Sequence, residues 1–243
     1  LCALSGNILG QEIPSRLRTS FTGNPVAGTR VGFQYDPQGG PLESKQAITG
    51  IVYMFNDYTW ETGDIELVKH DNLWYGYFNI PRNCAFMAIK FVPEDLNDQG
   101  VADNNDDQGF MWMTLDQNRL PLPGGNLAWA MFRKPQLGQG VTGYFQQYEG
   151  IMDEAVEMWT YKELEMFPQN MPKMFNYFMA MVKLRSGEQF PETAQKFVTE
   201  FLKDPRLGEQ QYMWARDIYR FQLQDKEKAD SIEQVILTRW PQG

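Results

Sequence analysis

The sequence predicts an α+β protein in two domains: an N-terminal immunoglobulin-like β-sandwich followed by an all-α helical-hairpin (TPR-like) bundle. Two observations predict it. Up to about residue 134 apolar residues alternate over short segments, as in half-buried strands; from about residue 144 they recur every three to four positions, as in amphipathic helices. Between the two regions lies the glycine-rich stretch 136–143, with Gly138, Gly140 and Gly143. The division read from these signals is a flexible tail or signal remnant over 1–17, a sandwich over 18–134, a linker over 135–143 and a helical bundle over 144–243.

Each strand is read from its alternation. Val31, Phe33 and Tyr35 alternate in 29–35, and Ile51, Tyr53 and Phe55 oppose Val52 and Met54 in 47–55. Segment 64–69 offers Ile65 and Leu67; 73–80 sets Trp74, Phe78 and Ile80 against Tyr75 and Tyr77. Segment 85–92 sets Met87, Ile89 and Phe91 against Phe86 and Ala88, and segments 110–113 and 127–132 close the series. Turn chemistry separates them at Asp36-Pro37-Gln38-Gly39-Gly40-Pro41, Thr62-Gly63-Asp64 and His70-Asp71-Asn72. Short strands at this spacing suggest a sandwich of about 100 residues, although the Cys…Trp…Cys hallmark of antibody domains is missing.

The helices follow from stripes and stops. A helix over 144–167 stops at Pro168, and one over 170–185 tolerates Pro172 in its first turn and has Gly187 just past its end. Pro191 opens a third, with Ala194, Phe197, Val198, Phe201 and Leu202 on one face, and Pro205 ends it. The segment 209–224 is apolar on more than one side, through Trp214, Ala215, Ile218, Tyr219 and Phe221, which predicts the most buried helix. Asp225 caps the last helix, whose stripe is Ile232, Val235, Ile236 and Trp240. The second and fourth helices each open a helix–turn–helix pair, at a spacing near the ~34 residues of tetratricopeptide units. Methionines 171, 174, 179 and 181 read as core filling in preference to a partner surface.

Composition excludes several functions. A net charge of −9 argues against nucleic acid and anionic lipid, both of which call for clustered Lys and Arg. No run of 18 apolar residues exists, so no membrane span is expected. Cys2 and Cys84 stand too far apart in sequence for a CxxC pair or zinc knuckle. Cys84 reads as a small buried residue, with a Cys2–Cys84 disulfide unsupported. The small, apolar opening of the chain is the end of a secretory signal, a mature flexible terminus, or the setting of a lipidated Cys2. His70, the sole histidine, reads as a solvent-facing turn residue, and no G-x-S-x-G elbow accompanies it. The chain as given reads as non-enzymatic.

Two candidate sites remain. From Glu94 to Asp116 run 7 acidic residues with no Lys or Arg between them. Within that run Asp103, Asn105 and Asp107 place side-chain oxygens at alternate positions, like the first half of a calcium loop. Gly109 falls one place late for an EF-hand and Thr114 stands where its glutamate belongs, so calcium would need further ligands such as Asp98 or Asp116. The competing reading is a polar turn leading into the strand at Phe110. Trp60, Tyr75 and Tyr77 are the candidate ligand-binding residues, as an aromatic platform for a glycan or peptide; the competing reading is ordinary packing with outward tyrosines.

Several stretches also carry a family likeness. In the sandwich these are Val26-Ala27-Gly28-Thr29-Arg30-Val31, Phe33-Gln34-Tyr35-Asp36-Pro37, Trp74-Tyr75-Gly76-Tyr77-Phe78-Asn79-Ile80-Pro81, and Asp103-Asn104-Asn105 with Gly109-Phe110. In the helical part they are Glu163-Leu164-Glu165-Met166-Phe167-Pro168 and Ile236-Leu237-Thr238-Arg239-Trp240-Pro241-Gln242-Gly243. Together they resemble the N-terminal region of TlpA-like thioredoxin-family thiol–disulfide oxidoreductases of the Gram-negative envelope. The resemblance implies a periplasmic or cell-envelope/extracellular location, and a downstream thioredoxin-like domain or another protein as partner. The family's CxxC domain is not in this sequence, so no redox residue carries over. The expected function is a non-catalytic envelope scaffold or interaction region; the alternative is a glycan- or peptide-binding sandwich module.

Overall fold

The computed structural model describes residues 16–95, 100–141, 143–146 and 150–242. The expectations for Cys2, for the tail before Arg16 and for Asp98 lie outside the described residues. The strands come first: β1 (Leu17–Thr19), β2 (Arg30–Tyr35), β3 (Ile48–Asn56), β4 (Thr59–Ile65), β5 (Leu67–His70), β6 (Leu73–Asn79), β7 (Cys84–Pro93) and β8 (Phe110–Met113). They form two antiparallel sheets, ordered β1-β2-β6-β5 and β4-β3-β7-β8. The sheets pack face to face: Leu17, Phe33, Tyr35 and Trp74 meet Ile48, Val52, Met87, Ile89 and Phe91 in one apolar cluster. The Tyr35 ring stacks on Phe91 at 3.9 Å between centroids.

Strands β2 and β6 alternate as their sequences predict. Val31, Phe33 and Tyr35 are buried, as are Trp74 and Gly76, while Tyr75 and Tyr77 point outward. Strands β3 and β7 do not alternate. Residues from Val52 to Asn56 and from Cys84 to Ile89 are buried whichever face they occupy. A strand covered on both faces needs apolar residues on both, and here the second cover is helical.

That cover begins with a correction. The segment 127–132, expected as a strand, belongs to helix α1 (Gly125–Phe132). A short apolar run cannot be assigned by period alone, and the surroundings decide this one. Gly124 starts the helix at φ 100°, and a Cβ there would stand 3.1 Å from the Phe55 ring. Only glycine takes this backbone shape at this distance without strain. Leu127, Ala128, Met131 and Phe132 then pack on Tyr53, Phe55, Phe86 and Met113 of the second sheet.

The following helices are α2 (Asp153–Met166), α3 (Phe175–Ser186), α4 (Phe190–Phe201), α5 (Glu209–Asp217) and α6 (Lys226–Arg239). The helix expected from residue 144 starts at Asp153, because Tyr144 is tied to the sheet. Its hydroxyl donates to the Ile89 carbonyl at 2.8 Å and accepts from the Phe110 N–H at 3.0 Å. The helix expected from residue 170 starts at Phe175, after a 3₁₀ segment over Pro168–Met174 that contains Pro172. Helix α4 buries Ala194, Val198 and Phe201 as predicted. The segment expected as one helix over 209–224 divides into α5 and a π-turn over Ile218–Gln222, where Phe221 is exposed. Asp225 caps α6 as expected, accepting from the Lys228 N–H at 3.0 Å.

Helix α3 faces two cores. Tyr177 and Met181 join the cluster of the second sheet with α1 and α2; Phe175 and Met179 join that of α4, α5 and α6. Met174, Met179 and Met181 are accordingly buried, as the core-filling reading predicts. Among the described residues no helix is long and apolar enough to cross a membrane.

Candidate functional site

The acidic loop before β8 is a hydrogen-bonded left-handed turn. Asn105, Asp106 and Asp107 take φ of 66°, 52° and 61°, which Asn and Asp tolerate better than most side chains. The carboxylates of Asp103, Asp106 and Asp107 already have partners. Asp103 is buried; it accepts from the Tyr35 hydroxyl at 2.8 Å and from the Asn105 N–H at 3.0 Å, and Arg16 Nε lies 3.1 Å from its Oδ2. Arg16 also reaches Asp106 at 2.9 Å. Asp107 Oδ1 accepts from Asn104 Nδ2 at 2.7 Å and from the Gln146 N–H at 2.9 Å. Burial, reinforced by Asp103, pushes the Tyr35 phenol far above its ordinary range. The guanidinium of Arg16 stands beside Asp103, the first of the residues that a calcium ion would use. Among the described residues no group of three or more His, Cys, Asp or Glu is arranged to hold a metal ion.

The three aromatic candidates are not brought together. Tyr75 and Tyr77 lie on the outward face of β6 in the first sheet, 37% and 64% exposed, with Arg30 4.5 Å from the Tyr77 ring centroid. Trp60 is on β4 in the second sheet, half-buried against Phe55, Phe86 and Phe132. Its indole N–H donates to the Gln139 carbonyl at 2.9 Å. His70, expected in the turn, is the exposed last residue of β5, paired with Leu73, with Nδ1 3.2 Å from Asp71. Cys84 is buried, and burial pushes its thiol up to about 12. Such a thiol stays protonated and is a poor nucleophile.

One buried residue escaped sequence reasoning. Glu163 of α2 has no exposed surface, and donors surround its carboxylate. It accepts from the Tyr58 hydroxyl at 2.7 Å, the Gly124 N–H at 2.6 Å, the Asn126 N–H at 3.2 Å and Asn126 Nδ2 at 3.3 Å. A carboxylate here meets the orphan N–H groups and positive end of α1. It therefore ties α2, α1 and the β3–β4 turn to one point. The signal was present: Val156, Thr160 and Glu163 fall at i, i+4 and i+7, which puts the acid on the buried stripe.

One open feature of the helical layer is an apolar groove of about 200 Å³ between α2, α3 and α4. Thr160 and Met181 lie deepest, Phe178, Val182 and Phe197 are half-buried, and Tyr161 stands on the rim 62% exposed. The rim is closed on one side by the Arg185–Glu157 pair, at 2.5 Å and 2.7 Å. The Arg185 guanidinium holds the Glu157 carboxyl below its usual range. Helix α2 also exposes Met158, one turn from Tyr161. No single stretch of sequence announces this groove, because three helices must lie side by side to make it. No protein-family model matches this chain, and no curated protein matches it.

Proposed function

We propose that this chain is a non-catalytic interaction region that seats an apolar side chain of a protein partner between α2, α3 and α4. The observation that carries the reading is the groove itself, apolar within and bordered by a charged pair. This is the pattern of an interface anchor pocket with a polar rim. Its volume of about 200 Å³ is below the roughly 300–1,000 Å³ of small-molecule sites, which favours one anchoring side chain over a metabolite. The exposed His70 and the protonated Cys84 support a role without chemistry.

The strand order supports an immunoglobulin-like sandwich. Lettered A, B, C, C′, D, E, F and G along the chain, the sheets become A-B-E-D and C′-C-F-G, the constant-type order with one added strand. The consecutive pairs α3–α4 and α5–α6 support a helical-hairpin, TPR-like reading of the second half. The setting we propose is the envelope, with a thioredoxin-like domain as neighbour; a gene that continues past Gly243 without a CxxC domain contradicts that setting. The groove is tested by selecting displayed random peptides against the chain. The reading predicts enriched peptides that share one Phe, Trp, Leu or Met anchor, and that bind the Thr193→Trp variant, whose groove is filled from α4, at least about tenfold more weakly. Enrichment without a shared apolar anchor contradicts it.

A further inference from the structure

We propose that a second, polar groove on the sandwich binds one sugar-sized polyol, independently of the helical groove. It has a volume of about 250 Å³, lies where the turn after β2 meets the β5–β6 hairpin, and is lined by Asp36, Glu43, Lys45, Lys69, Asn72 and Trp74. The first observation is an unmet donor. Trp74 is only 5% exposed, and its indole N–H finds no acceptor among the described residues. Buried indole N–H groups ordinarily have one. Lys69, an exposed side chain, leans over this ring with its ammonium 5.4 Å from the centroid, so the ligand we infer must displace it to reach the indole.

The second observation is charge balance. The lining carries the carboxylates of Asp36 and Glu43 and the ammonium groups of Lys45 and Lys69, so the formal charges cancel. The net charge of such a wall favours neither an anion nor a cation. A hydroxyl both donates and accepts, so neighbouring hydroxyls on one ring satisfy carboxylate, ammonium, amide and indole in turn. The volume is below the range of drug-sized sites, so the groove holds one ring and not a chain of them. The ligand is a free hexose or the terminal hexose of a glycan, which share this chemistry.

The test follows the indole Nε1 resonance of Trp74 by NMR, assigned through the backbone of β6. Glucose, galactose, mannose and a maltotetraose are added in turn, with sodium sulfate and glycine as charged controls. The expected result is a saturable shift with at least one of the sugars, weakened about tenfold or more by Glu43→Ala or Asn72→Ala, both exposed positions. A shift with the tetrasaccharide and none with free hexoses assigns the glycan end as the ligand. No shift with any sugar, a shift only with sulfate or glycine, or a sugar shift that neither variant weakens overturns the proposal.

Discussion

A carboxylate with no exposed surface is tolerated only where donors surround it, and at Glu163 these come from Tyr58, Gly124 and Asn126. Glu163→Gln keeps the volume but turns an amide NH₂ toward the Gly124 or Asn126 N–H groups, which can only donate. We expect a loss of about 2–4 kcal/mol in urea unfolding, the range for breaking a buried charged hydrogen-bond set. Tyr58→Phe removes one of the donors, and the double variant should lose less than the sum of the two singles, since they share a network. Additive losses would mean that the two side chains do not act together. Cys84 gives a second expectation at this scale. With its thiol pushed up to about 12 by burial, the native protein should leave Cys84 unlabelled by iodoacetamide at neutral pH, and unfolding should expose it. Rapid labelling of the native Cys84 peptide, read by mass spectrometry, would refute the burial.

Among the elements, the acidic loop is held by Arg16. Arg16→Ala leaves Asp103 buried without its cation, and we expect a fall in melting temperature corresponding to about 3–5 kcal/mol. For the same reason calcium at millimolar concentration should leave the wild-type melting temperature unchanged, because the guanidinium already stands at Asp103. A rise would place the ion on the loop and show that Arg16 yields to it. What was legible at this scale followed from local signals. The Asx-rich turn into β8, the Asp225 cap and the stripes of α4 and α6 all depend on neighbours in sequence. What was not legible depended on distant contacts. Leu127 to Phe132 is a helix because the second sheet offers it a face, and Tyr144 leaves the helical register because its hydroxyl is drawn to Ile89 and Phe110.

Over the whole molecule, the two-sheet sandwich and the helices after it could be read from the change of period, but the groove and the Glu163 junction could not. Both are built from side chains contributed by segments far apart in the chain. The buried phenols make a prediction at this scale. Burial raises Tyr35, Tyr58, Tyr144 and Tyr177 above their ordinary 10.0, and Cys84 above 9.0. Because the folded values are raised, this stability is fully present below the unfolded values and is lost as pH climbs past them. Melting temperature should therefore fall steadily from about pH 9 upward; a flat profile to pH 11 would contradict the burial of these groups. The central claim concerns the groove between α2, α3 and α4. Its most direct measurement is titration calorimetry of one enriched anchor peptide against the wild-type chain and against Thr193→Trp, with both melting temperatures recorded. The account predicts saturable binding to the wild type and a loss of about tenfold or more in a variant that remains folded. Equal affinity for the two folded proteins would contradict it.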